Sequence, residues 1–183
     1  IIGAESSQWE PPVYDQTTPI SPHVGNPGYH LTEDLADQTI AWIERQQVSR
    51  PNQPFFTYFS TPALHAPHHV AREWIDKFKG QFDGGWDVLR EEIYERQLKL
   101  GVIPPNTALT KRPEQVPAWS DYPERYQPVA SRLMETFAGF LAHTDAQVGR
   151  VIDALERLNI MDNTLVVYIT GDNGASAEGT IHG

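Results

Sequence analysis

Two stretches of the chain repeat apolar residues at the spacing of an amphipathic helix. The first covers residues 33–47, and Thr32 precedes it as the predicted N-cap. The second is a long helix that covers about 130–158. We expect its apolar stripe to be buried, and it consists of Leu133, Phe137, Phe140, Leu141, Val148, Val151, Ile152, Leu155 and Leu158.

Two short apolar runs predict buried strands. The sequence FFTYF occupies residues 55–59, and TLVVYIT occupies residues 164–170. Near-continuous apolar strands of this kind are typical of parallel sheets that are covered on both faces. The order strand, helices, strand is that of a right-handed crossover connection. The pattern therefore predicts an α/β fold class, with a mostly parallel sheet flanked by helices.

The remaining stretches predict connections. Residues 1–30 contain five prolines and three glycines and are expected to be a loop segment. Residues 72–100 predict a helix in pieces, interrupted at Gly80 and at Gly84-Gly85. Six prolines between residues 101 and 128 predict an extended surface connection. We treat residues 1–183 as one partial domain, with a Pro-rich loop segment at 1–30 and core strands and helices at 31–183.

Composition narrows the possible functions. The chain has 183 residues and a net charge of −10, without a basic stripe, which argues against nucleic acid as a partner. No apolar run approaches the roughly 20 residues that cross a bilayer, so no membrane span is expected in this segment. The absence of cysteine excludes disulfides and thiolate chemistry. Both ends look cut, and we expect the chain to be an internal piece of a longer protein.

A polar loop follows the second predicted strand. In open α/β sheets, ligands bind beyond the carboxyl ends of the strands. The loop is Gly171-Asp172-Asn173-Gly174, in which Asp172 offers a carboxylate and Asn173 a carbonyl oxygen. Both are hard oxygen ligands that suit Ca²⁺ or Mg²⁺. Taken alone, the same four residues are also what a simple β-turn contains.

A loop rich in histidine follows the first predicted strand. His65, His68 and His69 lie there, between prolines that disfavour a helix. Three interpretations stay open from the residues alone: a zinc cluster, a loop of solvated histidines, or one imidazole that contacts an anionic substrate. Because both loops follow a predicted strand, both could lie on the same edge of one sheet.

Four segments together resemble the type I sulfatases of the alkaline phosphatase superfamily. DNTLVVYITGDNGASAEG resembles the strand and metal loop of that family, and PFFTYFSTPALHAPHHVAREWIDKFKG resembles the segment that carries an active-site histidine. The stretches FDGGWDVLREEIYERQLKLGVIPPNT and FLAHTDAQVGRVIDALERL resemble connecting segments of the arylsulfatase-like branch. The likeness spans roughly residues 30–180, and it implies an alkaline-phosphatase-like sulfatase domain.

The resemblance implies roles for particular residues. Asp172 and Asn173 match the family's ligands for a divalent cation, usually Ca²⁺, although Mg²⁺ or another divalent ion is possible. His65 matches the histidine that hydrogen-bonds the sulfate group, which makes it both the substrate-binding and the catalytic residue of this segment. His68 and His69 fall where the family varies, and we assign them no role. Ala71 stands where relatives often have proline, a small departure within a loop.

The family's nucleophile is a formylglycine made from a Cys or Ser in a Cys/Ser-x-Pro/Ala-x-Arg motif. That motif does not occur in this chain, so the formylglycine is expected outside it. The resemblance therefore implies a sulfatase in the intact protein, acting on a sulfate-ester small molecule or a sulfated glycan, and an inactive isolated fragment. Many exported sulfatases exist, and the compartment stays open.

Two other functions compete with this one. The first is a phosphodiester or phosphonate ester hydrolase of the same superfamily. Those relatives more often have histidine at the second metal position, which suits zinc, so Asn173 favours sulfate and Ca²⁺. The second is a non-catalytic relative that binds sulfated ligands in the cleft.

Overall fold

The computed structural model describes residues 6–171, and its long regular elements are helices. They are α1 (Leu31–Ser49), α2 (Arg72–Asp76), α3 (Gly85–Leu100) and α4 (Gln127–Arg157). Short 3₁₀ turns cover Trp119–Asp121, Glu124–Tyr126 and Met161–Asn163. Helix α4 has 31 residues, and both α1 and α2 pack against it. The predicted helices over 33–47 and 130–158 are confirmed, although each begins two or three residues earlier than expected.

The cap of α1 is a histidine. The ring of His30 accepts a hydrogen bond from the backbone N–H of Thr32, and the backbone of His30 is extended, as expected of an N-cap. Glu33 and Asp34 in the first turn favour the positive end of the helix dipole. The predicted cap at Thr32 is therefore wrong. Its side chain is fully buried inside the first turn instead.

The buried face of α4 differs from the predicted apolar stripe. Leu133 and Leu141 are 43% and 44% exposed, so these two predictions are wrong. Phe140 and Leu155 are buried as expected. Small and polar residues fill the rest of the face, and they are Ser131, Glu135, Gly139, His143, Thr144, Gln147 and Ala154. A helix contacting two others at short range needs small residues at the contacts, which apolar periodicity does not reveal.

The contact between α2 and α4 is close because Gly139 lacks a side chain. A methyl group placed on Gly139 would lie 2.8 Å from the backbone of Ile75 in α2. The Arg132 side chain joins the same two elements by pairing with Asp76 at 2.9 Å and with Glu135 at 2.7 Å. Helix α2 is therefore held tightly on α4, and with it the loop that precedes α2.

The long Pro-rich connection, residues 101–128, packs against helix α3. The predicted interruptions are confirmed, because Gly80 and Gly85 have φ values of +77° and +79°. The indole N–H of Trp86 donates to the carbonyl of Pro117 at 2.9 Å, and its ring meets that of Trp119 edge-on at 4.7 Å. Asp87 accepts from the backbone N–H of Trp119 at 2.8 Å. These contacts fix an otherwise irregular segment.

Residues 1–30 are not entirely loop. Strands β1 (Val13–Asp15) and β2 (Thr18–Ile20) form a short antiparallel hairpin, with Gln16 at φ 56° in its turn. Val13 packs with Tyr29 and Leu31, so the hairpin covers the start of α1. Periodicity could not reveal strands of three residues.

The two predicted buried strands form neither a helix nor a paired strand in the described part of the chain. Within residues 6–171, the β1–β2 hairpin is the only strand pairing, so the parallel sheet is not confirmed. Phe56 and Tyr58 are 85% and 77% exposed, and Leu165 and Ile169 are 89% and 82% exposed. A strand needs a neighbour that accepts its backbone hydrogen bonds and covers its side chains. Among residues 6–171, neither segment is paired with such a neighbouring strand.

The length and composition of the helices are relevant to membrane insertion. Among residues 6–171, none of the helices combines the length and the apolar composition that crossing a bilayer requires.

Candidate active site

The loop of residues 61–70 connects the apolar residues 55–59 to α2, and we call it the histidine loop. It turns sharply, because the N–H of His65 donates to the carbonyl of Pro62 at 2.9 Å. The N–H of His69 donates to the carbonyl of Pro67 at 2.8 Å. Helix α2 follows at Arg72. The sequence prediction of a loop that the prolines keep out of helix is confirmed.

The ring of His65 has a defined orientation. Its Nδ1 lies 2.9 Å from the carbonyl oxygen of Ala66. Because a carbonyl oxygen can only accept, Nδ1 carries the proton in this bond. An anionic oxygen can then be hydrogen-bonded only by Nε2, and only when Nε2 is protonated as well. The geometry therefore favours the imidazolium form whenever His65 contacts an oxyanion.

His68 closes the turn around His65. Its Nε2–H donates to the carbonyl of Leu64 at 3.2 Å. Its ring lies edge-on to Phe137 at 5.4 Å and tilted to Phe140 at 6.3 Å, both on α4. His68 is thus a packing residue of the loop, and the interpretation as a solvated histidine is wrong.

His69 attaches the loop to the N-terminal segment. Its Nδ1 accepts from the backbone N–H of Gln8 at 3.4 Å, and its ring stacks on Trp9 at 6.4 Å. Its carbonyl accepts from Nε2 of His30 at 2.9 Å. Burial lowers the pKa of the His69 ring below its ordinary value. This histidine too is structural rather than solvated.

A buried pair of imidazoles lies beneath the loop. His30 and His143 are 3% and 1% exposed, and their ring centres are 4.4 Å apart. The Nε2–H of His143 donates to Glu33 at 2.9 Å, while its Nδ1 is buried without a partner in the described part of the chain. Burial lowers the pKa of His30, and the nearby His143 lowers it further. The hydrogen bond to the His69 carbonyl acts in the opposite direction and raises this pKa. Because its Nδ1 accepts a hydrogen bond from the backbone N–H of Thr32, the ring of His30 is in its neutral form in this arrangement.

The sequence prediction missed this pair. One signal existed for His143, because it lies three residues after Phe140 and four before Gln147, on the same helical face. A polar residue on a buried face needs a partner, so its position pointed to a contact. For His30, the acidic first turn of the helix marked a nearby cap, although it did not identify the histidine.

Burial of His30 predicts a specific pH dependence of stability. A histidine whose pKa is lowered on folding binds protons more readily in the unfolded chain, so the free energy of unfolding falls as pH drops below about 6.5. His69 contributes in the same direction. Urea unfolding of the full-length protein between about pH 5 and 8 should show a slope of up to about 1.4 kcal/mol per pH unit for each such proton. His30→Asn should flatten it, and an unchanged slope would contradict the assignment.

The structure describes only one of the predicted site residues, and its role stays a prediction. His65 is described, whereas Asp172 and Asn173 lie outside the described residues, which end at the exposed Gly171. Residues 6–171 contain no group of three or more acidic or histidine side chains arranged to hold a metal ion. His65, His68 and His69 do not form such a group in the described part of the chain.

Comparison with known proteins assigns the class of this domain. A model of the sulfatase family matches residues 2–183. An uncharacterized sulfatase of Schizosaccharomyces pombe is 30% identical over 176 residues, which cover 93% of this chain and 30% of that protein. An arylsulfatase of Klebsiella aerogenes is 30% identical over 148 residues, covering 81% of this chain and 31% of that protein. Arylsulfatase K of Gallus gallus is 25% identical over 172 residues, which cover 84% of this chain and 30% of that protein.

The family match implies an alkaline-phosphatase-like α/β fold. The chain belongs to the sulfatase family, whose members act on sulfate esters. It spans about 30% of the length of the curated relatives that it matches.

Proposed function

We propose that this chain is part of a sulfatase catalytic domain and that the full-length protein hydrolyses sulfate esters. In this proposal His65 binds the sulfate group, and Asp172 and Asn173 supply two ligands of a divalent cation. The substrate is a sulfate-ester small molecule or a sulfated glycan. Water and the ester give the free alcohol and inorganic sulfate. The chain alone, without a nucleophile motif, is expected to be inactive.

The geometry of His65 is the observation that carries this proposal. With Nδ1–H bound to the carbonyl of Ala66, the ring can meet a sulfate oxygen only through a protonated Nε2. A charged donor of this kind makes a shorter and stronger hydrogen bond to an anion than a neutral one. A fixed donor also needs no reorientation while charge shifts on the transferring group. Family membership over residues 2–183 supports the same role.

The donor set at the second loop suits a hard cation. Asp172 and Asn173 provide a carboxylate and an amide oxygen, which favour Ca²⁺ over Zn²⁺. Residues 6–171 contain no metal cluster, so the further ligands are expected elsewhere in the full-length protein. When present, a formylglycine supplies the nucleophile and the cation stabilises negative charge on the transferring sulfate.

We also propose that residues 55–59 and 164–170 are strands of a parallel sheet that other parts of the full-length protein complete. Support comes from their exposed apolar side chains, such as Phe56 and Ile169. The carboxyl ends of parallel strands meet at one edge, so this arrangement brings the histidine loop and Asp172 to the same rim.

The test is metal and substrate analysis of the full-length protein. We expect bound Ca²⁺, hydrolysis of an aryl sulfate, loss of activity with a chelator and recovery when Ca²⁺ is restored. Asp172→Ala should remove both the metal and the activity. Bound zinc with preferential cleavage of a phosphodiester would instead support the alternative hydrolase.

A non-catalytic relative would give a third result. It would bind sulfated ligands without turnover, and the full-length sequence would contain no Cys/Ser-x-Pro/Ala-x-Arg motif. Mass spectrometry of the peptide that contains such a motif would detect a formylglycine directly, which separates the two cases.

A further inference from the structure

We propose that His30 is a positioning residue that holds the histidine loop, and with it His65, in the orientation needed to bind the sulfate group. This inference rests on the proposed function of His65, whereas the anchoring itself is a property of the loop. His30 lies 35 positions before His65 and does not take part in the chemistry.

The tautomer of His30 is fixed by its two hydrogen bonds. Nδ1 accepts from the N–H of Thr32 at 3.2 Å, so this nitrogen carries no proton. The proton is therefore on Nε2, which donates it to the carbonyl of His69 at 2.9 Å. One neutral imidazole thus connects the first turn of α1 to the end of the histidine loop. The ring is 3% exposed, so water competes little for either bond.

The loop is anchored on both sides of His65. Before it, the carbonyl of Leu64 accepts from the His68 ring, which packs on α4. After it, the carbonyl of His69 accepts from His30. The first anchor lies within the loop itself. The second ties the loop to α1, whereas the His68 ring and helix α2 attach it to α4, so the His30 bond fixes the loop relative to α1.

His143 keeps the ring of His30 in place. The two rings are 4.4 Å apart, and Glu33 at 2.9 Å fixes the orientation of His143. Trp9 covers the ring of His30 edge-on at 4.9 Å. The titratable groups that face His30 are Glu33, His69 and His143. A ring enclosed in this way has little freedom to rotate, which is what an anchor requires.

Two substitutions separate the anchor from the helix cap. The amide oxygen of His30→Asn can replace Nδ1 and cap α1, but its side chain is too short to donate to the His69 carbonyl. The amide nitrogen of His30→Gln takes the place of Nε2 and can donate to that carbonyl, although the cap is weakened. A role in stability alone would therefore favour Asn, and a role in positioning would favour Gln.

The experiment measures both variants in the full-length protein. We expect His30→Asn to lower kcat/KM for an aryl sulfate roughly 10- to 100-fold, mostly through kcat, because small misplacement of a reacting group is costly. His30→Gln should rescue most of this loss, even though its thermal midpoint is the lower of the two. Equal losses in both variants, or full activity of His30→Asn, would overturn the proposal.

Hydrogen exchange tests the anchoring of the loop by His30 independently of the proposed function. In His30→Asn the backbone N–H groups of His65 and His69 should exchange faster than in the unsubstituted protein, and His30→Gln should restore their protection. If the protein hydrolyses no sulfate ester, the proposed function fails, while this exchange pattern still decides whether His30 anchors the loop. Unchanged exchange in His30→Asn would overturn the anchoring, whatever the activity.

Discussion

Replacing His65 by alanine in the full-length protein is expected to lower kcat/KM for a sulfate ester about 100- to 1,000-fold. The substitution removes a charged donor whose orientation is set by the bond from Nδ1 to the carbonyl of Ala66. The backbone bond from His65 to Pro62 does not involve the side chain, so the turn should persist. Steady-state kinetics with an aryl sulfate measures the loss, and metal analysis should show an unchanged cation content.

Two amide variants identify which ring nitrogen of His65 donates to the sulfate group. His65→Gln places an N–H near the position of Nε2, whereas His65→Asn retains only the donor to the Ala66 carbonyl. We expect His65→Gln to lose less activity than His65→Asn, which should resemble the alanine variant. Full activity of the alanine variant would remove His65 from the site.

Replacing Gly85 by alanine is expected to reduce the free energy of unfolding by about 2–5 kcal/mol. Gly85 has φ +79°, and a methyl group there would lie 2.2 Å from the indole ring of Trp119. The atoms that clash are Cγ, Cδ1 and Cδ2 at the base of the indole, so relief requires either a new χ1 rotamer of Trp119 or a shift of the connection. The backbone N–H of Trp119 is also held by Asp87. Urea unfolding of the full-length protein measures the effect.

Gly101→Ala is the matched control for this variant. Gly101 has φ +71°, but nothing lies within 4 Å of an added methyl group. The control therefore costs only the left-handed backbone conformation, about 1–2 kcal/mol. The difference between the two variants measures the contact with Trp119. Equal destabilisation would mean that the Pro-rich connection does not pack on Gly85.

The helices could be predicted from sequence because their signals are local. Periodic apolar residues, prolines and glycines located α1, α4 and the interruptions before α3 to within a few residues. The buried face of α4 was less predictable. Gly139 and His143 are buried because particular neighbours lie opposite them, and apolar periodicity contains no information about those neighbours.

The sheet and the site depended on contacts distant in sequence. Resemblance to a family, rather than periodicity, selected His65 from three adjacent histidines. The anchor from His30 to His69 joins residues 39 positions apart, and the bond from Glu33 to His143 joins residues 110 apart. No spacing rule connects such pairs. The prediction of Asp172 and Asn173 as cation ligands lies outside the described residues and stays a prediction.

The unpaired state of the two apolar segments has a consequence for the order of folding. The helical layer can assemble early, because many of its contacts are close in sequence and the others join helices of this one segment. In the proposed sheet, residues 55–59 and 164–170 pair with strands from other parts of the full-length protein, and forming such non-local contacts is slow. Nascent chains should therefore pass through an intermediate with ordered helices and bare strand edges, the species that a chaperone would bind.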